Sequence, residues 1–274
     1  MAYNFREYFA KKYPSSAYIY NVLKKNGDQD IVWEDLTDTF MDNVADTIKE
    51  NVCPSSARTY LTVIRSLLNR ARLSGITFPS VNYAEILRAK SSKCSKTYLT
   101  TEELRRIEVY IPPNDYEATV RARFLIGAYT GCRQSDFQQI NASNIQDGML
   151  SYVSEKTGIK ATIPVKPIVK ELIRIPCKEM PLATFNSTLR NICRKCGIRT
   201  MVKVFKGGKQ MEGPKYKFIS SHTARISFCT NLYLLGCDIV KISRMAGHSD
   251  INMTKRYIAS EMISIDKKAM RYFH

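Results

Sequence analysis

Apolar residues recur along this chain at two different periods, and the change between them separates two regions. Over residues 1–90 the spacing is helical, predicting helices near 4–25, 36–50, 55–73 and 82–89. In 55–73, Tyr60, Val63, Ile64, Leu67, Leu68 and Ala71 fall on one side at about 100° per residue. Arg58, Arg65 and Arg72 recur every seven residues on the other side, with a drift of about 20° per step. Residues 89–97 have no period and few large apolar side chains, the composition of a linker. Thr100-Thr101-Glu102-Glu103 then reads as a capping box, and Leu104, Ile107 and Ile111 follow at helical spacing. A second region therefore starts near residue 99.

There the patterns alternate. Residues 117–130 read as a buried helix. Residues 150–155 and 160–165 read as two strands joined by Lys156-Thr157-Gly158-Ile159. A helix is expected at 182–196, and a second hairpin from 200–205 and 215–219 around Gly207-Gly208. Short helices are expected at 223–235, 238–246 and 251–258, with Gly236 and Gly247 as stops, and a last amphipathic helix at 261–271. No internal repeat or low-complexity tract appears. The expected fold class is an all-α region followed by a mixed α/β, mainly helical region with small β-hairpins.

Composition narrows the function. With 44% hydrophobic residues among 274, the chain can bury a core, so a disordered basic tail is excluded. The net charge is +17, which makes a polyanion, nucleic acid first, the expected partner. Residues 1–96 hold 14 basic and 10 acidic side chains, and residues 97–274 hold 28 and 15, so most of the positive field belongs to the second region. Segment 28–50 holds eight acids, a face expected to point away from DNA, whereas 55–73 has four Arg and no acid, which makes Arg58, Arg65 and Arg72 candidate DNA contacts. No apolar stretch approaches the roughly 18 residues of a membrane span, and the start lacks an apolar signal segment. The expectation is a soluble cytoplasmic, nucleoid-associated protein with no membrane partner.

Eight cysteines without a secretory signal are expected as thiols. Cys193-x-x-Cys196 lacks a nearby second pair of zinc ligands and follows Phe185, Leu189 and Ile192 at helical spacing, so both are expected to be small core residues. No phosphate-binding loop, G-x-G-x-x-G or H-E-x-x-H is present. No metal and no cofactor are expected.

The candidate chemistry lies in a set of residues in fixed order: Thr130-Gly131-Cys132-Arg133, Lys156, Ser221-His222-Thr223-Ala224-Arg225, Gly247-His248-Ser249 and Tyr257. Each alone is commonplace; their order and spacing together are specific. Here the sequence resembles the tyrosine recombinase (phage integrase) family, from the Leu99-Thr100-Thr101-Glu102-Glu103-Leu104 opening, through the first arginine motif and Ser154-Glu155-Lys156-Thr157-Gly158, to Tyr257 at the nucleophile position. The Gly207 to His222 segment looks most like integrases of bacterial mobile elements. Position 136 is Asp where the family more often has Glu, and Ile226 follows Arg225 where many members carry a second basic residue.

The resemblance implies a core-binding domain over 1–90 (four-helix, SAM-like), a linker over 91–98 and a catalytic domain over 99–274. It implies that Tyr257 forms a 3′-phosphotyrosine, with His222 as base, Arg133 and Arg225 on the phosphate, Lys156 as acid for the leaving oxygen, and His248 binding the phosphate or positioning its neighbours. Asp136 is expected to orient Arg133. The implied partners are double-stranded DNA at a specific recombination site, further copies forming a tetramer on paired sites, with the tail helix docked on a neighbouring copy or packed in cis, and an optional DNA-bending protein. No arm-binding domain is expected ahead of residue 4. Two other readings stay open: a DNA-relaxing type IB topoisomerase and a DNA-binding regulator without catalysis.

Overall fold

The computed structural model describes residues 4–14, 17–24, 31–88, 97–206 and 209–258. The described residues fall into two units, one holding those of 4–88 together with 205, 206 and 209, the other 97–204 and 210–258.

The first unit is helical: α1 (Phe5–Lys12), α2 (Ala17–Lys24), α3 (Asp38–Asn51), α4 (Pro54–Leu73) and a short α5 (Tyr83–Ile86). The single helix expected over 4–25 is two, because Pro14 follows the Tyr13 cap and cannot supply the N–H that would continue α1. The side chains of Asn4 and Thr37 cap α1 and α3, and Pro54 starts α4 at a position where its missing N–H costs nothing. Trp33 centres the core, edge-on to Phe5 and Tyr8 with ring centroids 5.1 and 5.5 Å away. From α4, Ala57, Leu61, Ile64, Leu67, Leu68 and Ala71 are buried. Asp38, one of the eight acids, is committed internally: it accepts hydrogen bonds from the Ser80 hydroxyl and from the backbone and side chain of Asn82. These bonds, led by that of Ser80, hold its carboxyl below the usual range.

The second unit is built around α7 (Asp115–Thr130), buried on nearly every side, with Val120, Phe124, Leu125, Ile126 and Ala128 in its core. Around it pack α6 (Thr101–Val109), α8 (Gln134–Gln139), α9 (Pro167–Arg174), α10 (Leu182–Lys195) and α11 (Thr223–Leu234), followed by α12 (Ile239–Ala246) and α13 (Ile251–Tyr257). The Thr100–Glu103 capping box forms, and Glu103 also pairs with the buried Lys215. Leu99, at the head of this unit, is tied to α11 on both sides of its peptide: its N–H donates to Ser227 Oγ at 2.8 Å, and Asn231 Nδ2 donates to its carbonyl at 3.0 Å.

A three-stranded antiparallel sheet runs β1 (Ile145–Gln146), β2 (Met149–Val153) and β3 (Lys160–Pro164), with Leu150 opposite Ile163 and Tyr152 opposite Ala161. Those four residues are buried, and the alternate positions face outward. The second hairpin pairs β4 (Met201–Lys206) with β5 (Lys209–Pro214). The strand expected at 215–219 is instead a 3-10 turn over Lys215–Phe218, entered from Pro214 and held by the buried Lys215. The sequence pattern missed α8, α9 and β1. Expectations for residues 91–96, the Gly207-Gly208 turn and the tail helix at 261–271 lie outside the described residues. Cys193 is fully buried and Cys196 half-buried against the same core. No described helix is long and apolar enough to cross a membrane.

One exposed thiol is set apart. Cys53, the N-cap of α4, lies 3.3 Å from the hydroxyls of Ser55 and Ser56, and these bonds lower its pKa to about 7. The thiolate is half-formed near pH 7, so alkylation at that pH, read by peptide mass spectrometry, should modify Cys53 before the exposed Cys177; equal rates across pH 6–9 would contradict it.

Candidate active site

Every candidate site residue from the chemistry-bearing set lies in the second unit. Arg225 sits in the first turn of α11 and is 1% exposed. Its Nη1 donates to the Gly131 carbonyl at 2.7 Å, while Nε and Nη2 have no hydrogen-bond partner among the described residues. Gly131 ends α7 in the left-handed conformation at φ 71°, and a Cβ there would lie 2.4 Å from Phe228 on α11. Only glycine lets the two helices approach this closely while turning the carbonyl onto the guanidinium.

Two residues beyond Gly131, Arg133 caps α8. It is partly buried; burial, and after it the Arg225 guanidinium, push its pKa down, opposed by Tyr257 and Asp136. An arginine still stays charged at neutral pH, so the pocket concentrates two cations. Arg133 Nη1 donates to Ser154 Oγ at 2.7 Å. Asp136 does not reach the guanidinium directly: its Oδ2 accepts from Ser154 Oγ at 3.1 Å and from the Arg133 N–H at 3.4 Å, and its Oδ1 accepts from the Glu155 N–H at 3.0 Å.

Tyr257 ends α13 and brings its ring into this pocket from the same chain. Its centroid lies 5.1 Å from the His222 ring, 4.8 Å from the His248 ring, stacked at 25°, and 5.4 Å from the Arg225 guanidinium carbon. The Thr230 hydroxyl donates to its carbonyl at 3.3 Å. His222 is exposed at the N-cap of α11. His248 follows Gly247, the left-handed stop of α12 at φ 63°, and its Nδ1 lies 2.8 Å from Thr254 Oγ1 on α13. That contact joins the histidine to the helix that carries the tyrosine.

The structure thus brings together Arg133, His222, Arg225, His248 and Tyr257. Lys156 stands apart, exposed on the turn between β2 and β3, with no hydrogen bond or ion pair to the other five among the described residues. Burial favours the neutral forms of two other groups near the arginines. Burial pushes the Cys132 thiol up to about 12 and raises the Tyr152 phenol as well. From sequence, Ser154 figures only as the head of the Ser154-Glu155-Lys156-Thr157-Gly158 motif, with no role of its own, and Thr254 not at all. Their only sequence signals are short offsets, two residues before Lys156 and three before Tyr257.

In the first unit, Arg58 is exposed and Arg65 partly so. Arg72 is engaged internally: it donates to the Ser80 carbonyl at 2.6 Å and lies 4.8 Å from the ring centroids of both Phe78 and Tyr83.

A family model described as the phage integrase family matches residues 97–263. The integrase of Escherichia phage P2 is 22% identical over 215 residues, covering 76% of this chain and 56% of that protein, so the chain spans little more than half the relative's length. A lambda integrase dimer bound to a COC′ core site shares the fold with TM-score 0.64 at 19% identity, covering 96% of this chain and 98% of that one. The Tn1549 transposon integrase in complex with circular intermediate DNA has TM-score 0.66 at 14% identity and covers 100% of both chains.

Gly131 is the packing point on which Arg225 depends. Gly131→Ala combines a disfavoured φ with a side-chain overlap and should destabilise the protein by about 2–4 kcal/mol. A denaturation midpoint equal to wild type would show that Phe228 yields and that the close approach is not required.

Proposed function

This chain belongs to the phage integrase family, and on that premise we propose that it is a site-specific recombinase, cutting and rejoining double-stranded DNA through a 3′-phosphotyrosine. The observation that carries the reading is the convergence of two guanidiniums and two imidazoles around the half-buried Tyr257. A phenol with a pKa of about 10 is a weak nucleophile at neutral pH, so it needs a base and a positive surrounding. His222 supplies the base and takes the phenolic proton. The Tyr257 oxygen bonds to phosphorus, and the bond from phosphorus to the 5′-oxygen breaks. Arg225, through its unpartnered Nε and Nη2 nitrogens, and Arg133 hold the non-bridging oxygens as charge builds on them. Lys156 protonates the departing 5′-oxygen. A 5′-hydroxyl from a second strand then reverses the step. Each stage exchanges one ester for another, so no external energy source is required.

Within this reading, residues 1–90 form the core-binding domain, 91–98 the linker and 99–274 the catalytic domain. Arg58 and Arg65 of α4 face DNA phosphates, whereas Arg72 braces the loop after α4. The working assembly is a tetramer on paired sites, as lambda integrase forms on a Holliday junction (TM-score 0.63, 19% identity, covering 97% of this chain and 80% of that one). The two arginines supply the positive charge that a metal ion supplies elsewhere, and no cofactor takes part.

A nicked duplex that loses its short leaving strand traps covalent protein–DNA adducts. Wild type should form an adduct on a restricted set of sequences. Adducts on nearly all sequences would indicate a topoisomerase, and none a non-catalytic regulator. Tyr257→Phe should bind the same DNA without forming an adduct, and Arg225→Ala should slow trapping by at least about 10²–10³-fold. Trapping should also continue in excess chelator; its complete loss there would require a metal in the mechanism.

A further inference from the structure

We propose that Ser154 is a positioning residue that couples the Lys156 turn to Arg133, so that acid and phosphate-binding cation are aligned together. The inference rests on the recombinase reading above. Ser154 is 1% exposed, and both its backbone and its side chain are committed to the turn. Its N–H donates to the Ile159 carbonyl at 2.9 Å, and its own carbonyl accepts from Thr157 at 3.2 Å and Gly158 at 2.8 Å, which closes the loop that carries Lys156. Its hydroxyl accepts from Arg133 Nη1 and donates to Asp136 Oδ2. The other oxygen of the same carboxylate holds the Glu155 N–H, adjacent to Lys156. One buried carboxylate and one hydroxyl therefore fix both the guanidinium and the base of the lysine turn.

Asp136 is occupied by two backbone N–H groups and one hydroxyl, so it has no direct hold on the Arg133 guanidinium. The hydroxyl is the link. A serine lacking it would leave Arg133 Nη1 and an Asp136 oxygen each short of a partner in a buried setting, and the turn would be free to shift. A displacement of about 1 Å in a reacting group can cost about 10²-fold in rate.

The lysine's share can be isolated through the leaving group. When sulfur replaces the bridging 5′-oxygen, a thiolate departs, and with a thiol pKa of about 8.5 it needs no protonation in the transition state. The DNA site is first recovered by covalent trapping of wild type on a random nicked duplex pool. The recovered sequence is then built with oxygen or with sulfur at the scissile linkage. On oxygen, Ser154→Ala should cleave about 10²-fold slower than wild type, and Ser154→Thr, which keeps the hydroxyl, close to wild type. On sulfur, Lys156→Ala should return to within about threefold of wild type, whereas Ser154→Ala should recover about tenfold of its loss, the remaining defect being the share carried by Arg133.

If Ser154→Ala cleaves the oxygen substrate at the wild-type rate, the coupling does not exist. If it is equally slow on both substrates, Ser154 acts on Arg133 or on folding alone, and the link to Lys156 is overturned. Failure of wild type to trap any sequence would instead overturn the recombinase reading. Should Ser154→Ala melt below the assay temperature, Ser154→Cys, similar in volume with a weak donor, is judged by the same criteria.

Discussion

The site depends on a guanidinium carried inside the protein core. Arg225 is almost wholly buried, has one hydrogen bond to a backbone carbonyl and no carboxylate partner among the described residues. Burying an ion without a counter-charge costs several kcal/mol, and the surrounding packing must supply that stability. The central helix α7 and the hydrophobic face of α11 do so, meeting at Gly127, where an added Cβ would run into Phe137 of α8 and Ala224 of α11, and at Gly131 against Phe228. The cation is therefore positioned by the core itself. The N–H groups of its Nε and Nη2 keep their directions without reorganisation, which is what transition-state charge stabilisation requires.

Long elements with a steady period were legible from sequence. The helices at 115–130, 182–195 and 223–234 and the two strands of the central hairpin match the pattern because burial dictates each position. Short elements were not. Gln134–Gln139 has only Phe137 as a large apolar side chain, and β1 is two residues long, so neither presents a period. The strand expected at 215–219 failed because Lys215 is drawn inward to Glu103, an ion pair that hydrophobic alternation cannot foresee.

The five clustered side chains could be chosen from sequence because their chemical types and order are restrictive. The hydroxyls that hold them could not. Ser154 and Thr254 find partners only after the hairpin meets α8 and α13 folds under His248. The sequence position of Asp136 suits a group that orients a basic neighbour such as Arg133, and the structure routes that influence through an intervening serine and the backbone. The arginine stripe on α4 has a related ambiguity: a seven-residue repeat fixes which way a side chain leaves the helix but not what it meets. Arg72 meets two aromatic rings and a carbonyl of its own unit.

Leu99 anchors the opening segment of the second unit to its core. Both polar groups of its backbone are clamped by side chains one turn apart on the helix bearing Arg225. Two anchors spaced along one helix hold the direction of its axis against tilting better than a single bond would, and Arg225 lies two residues before the first of them.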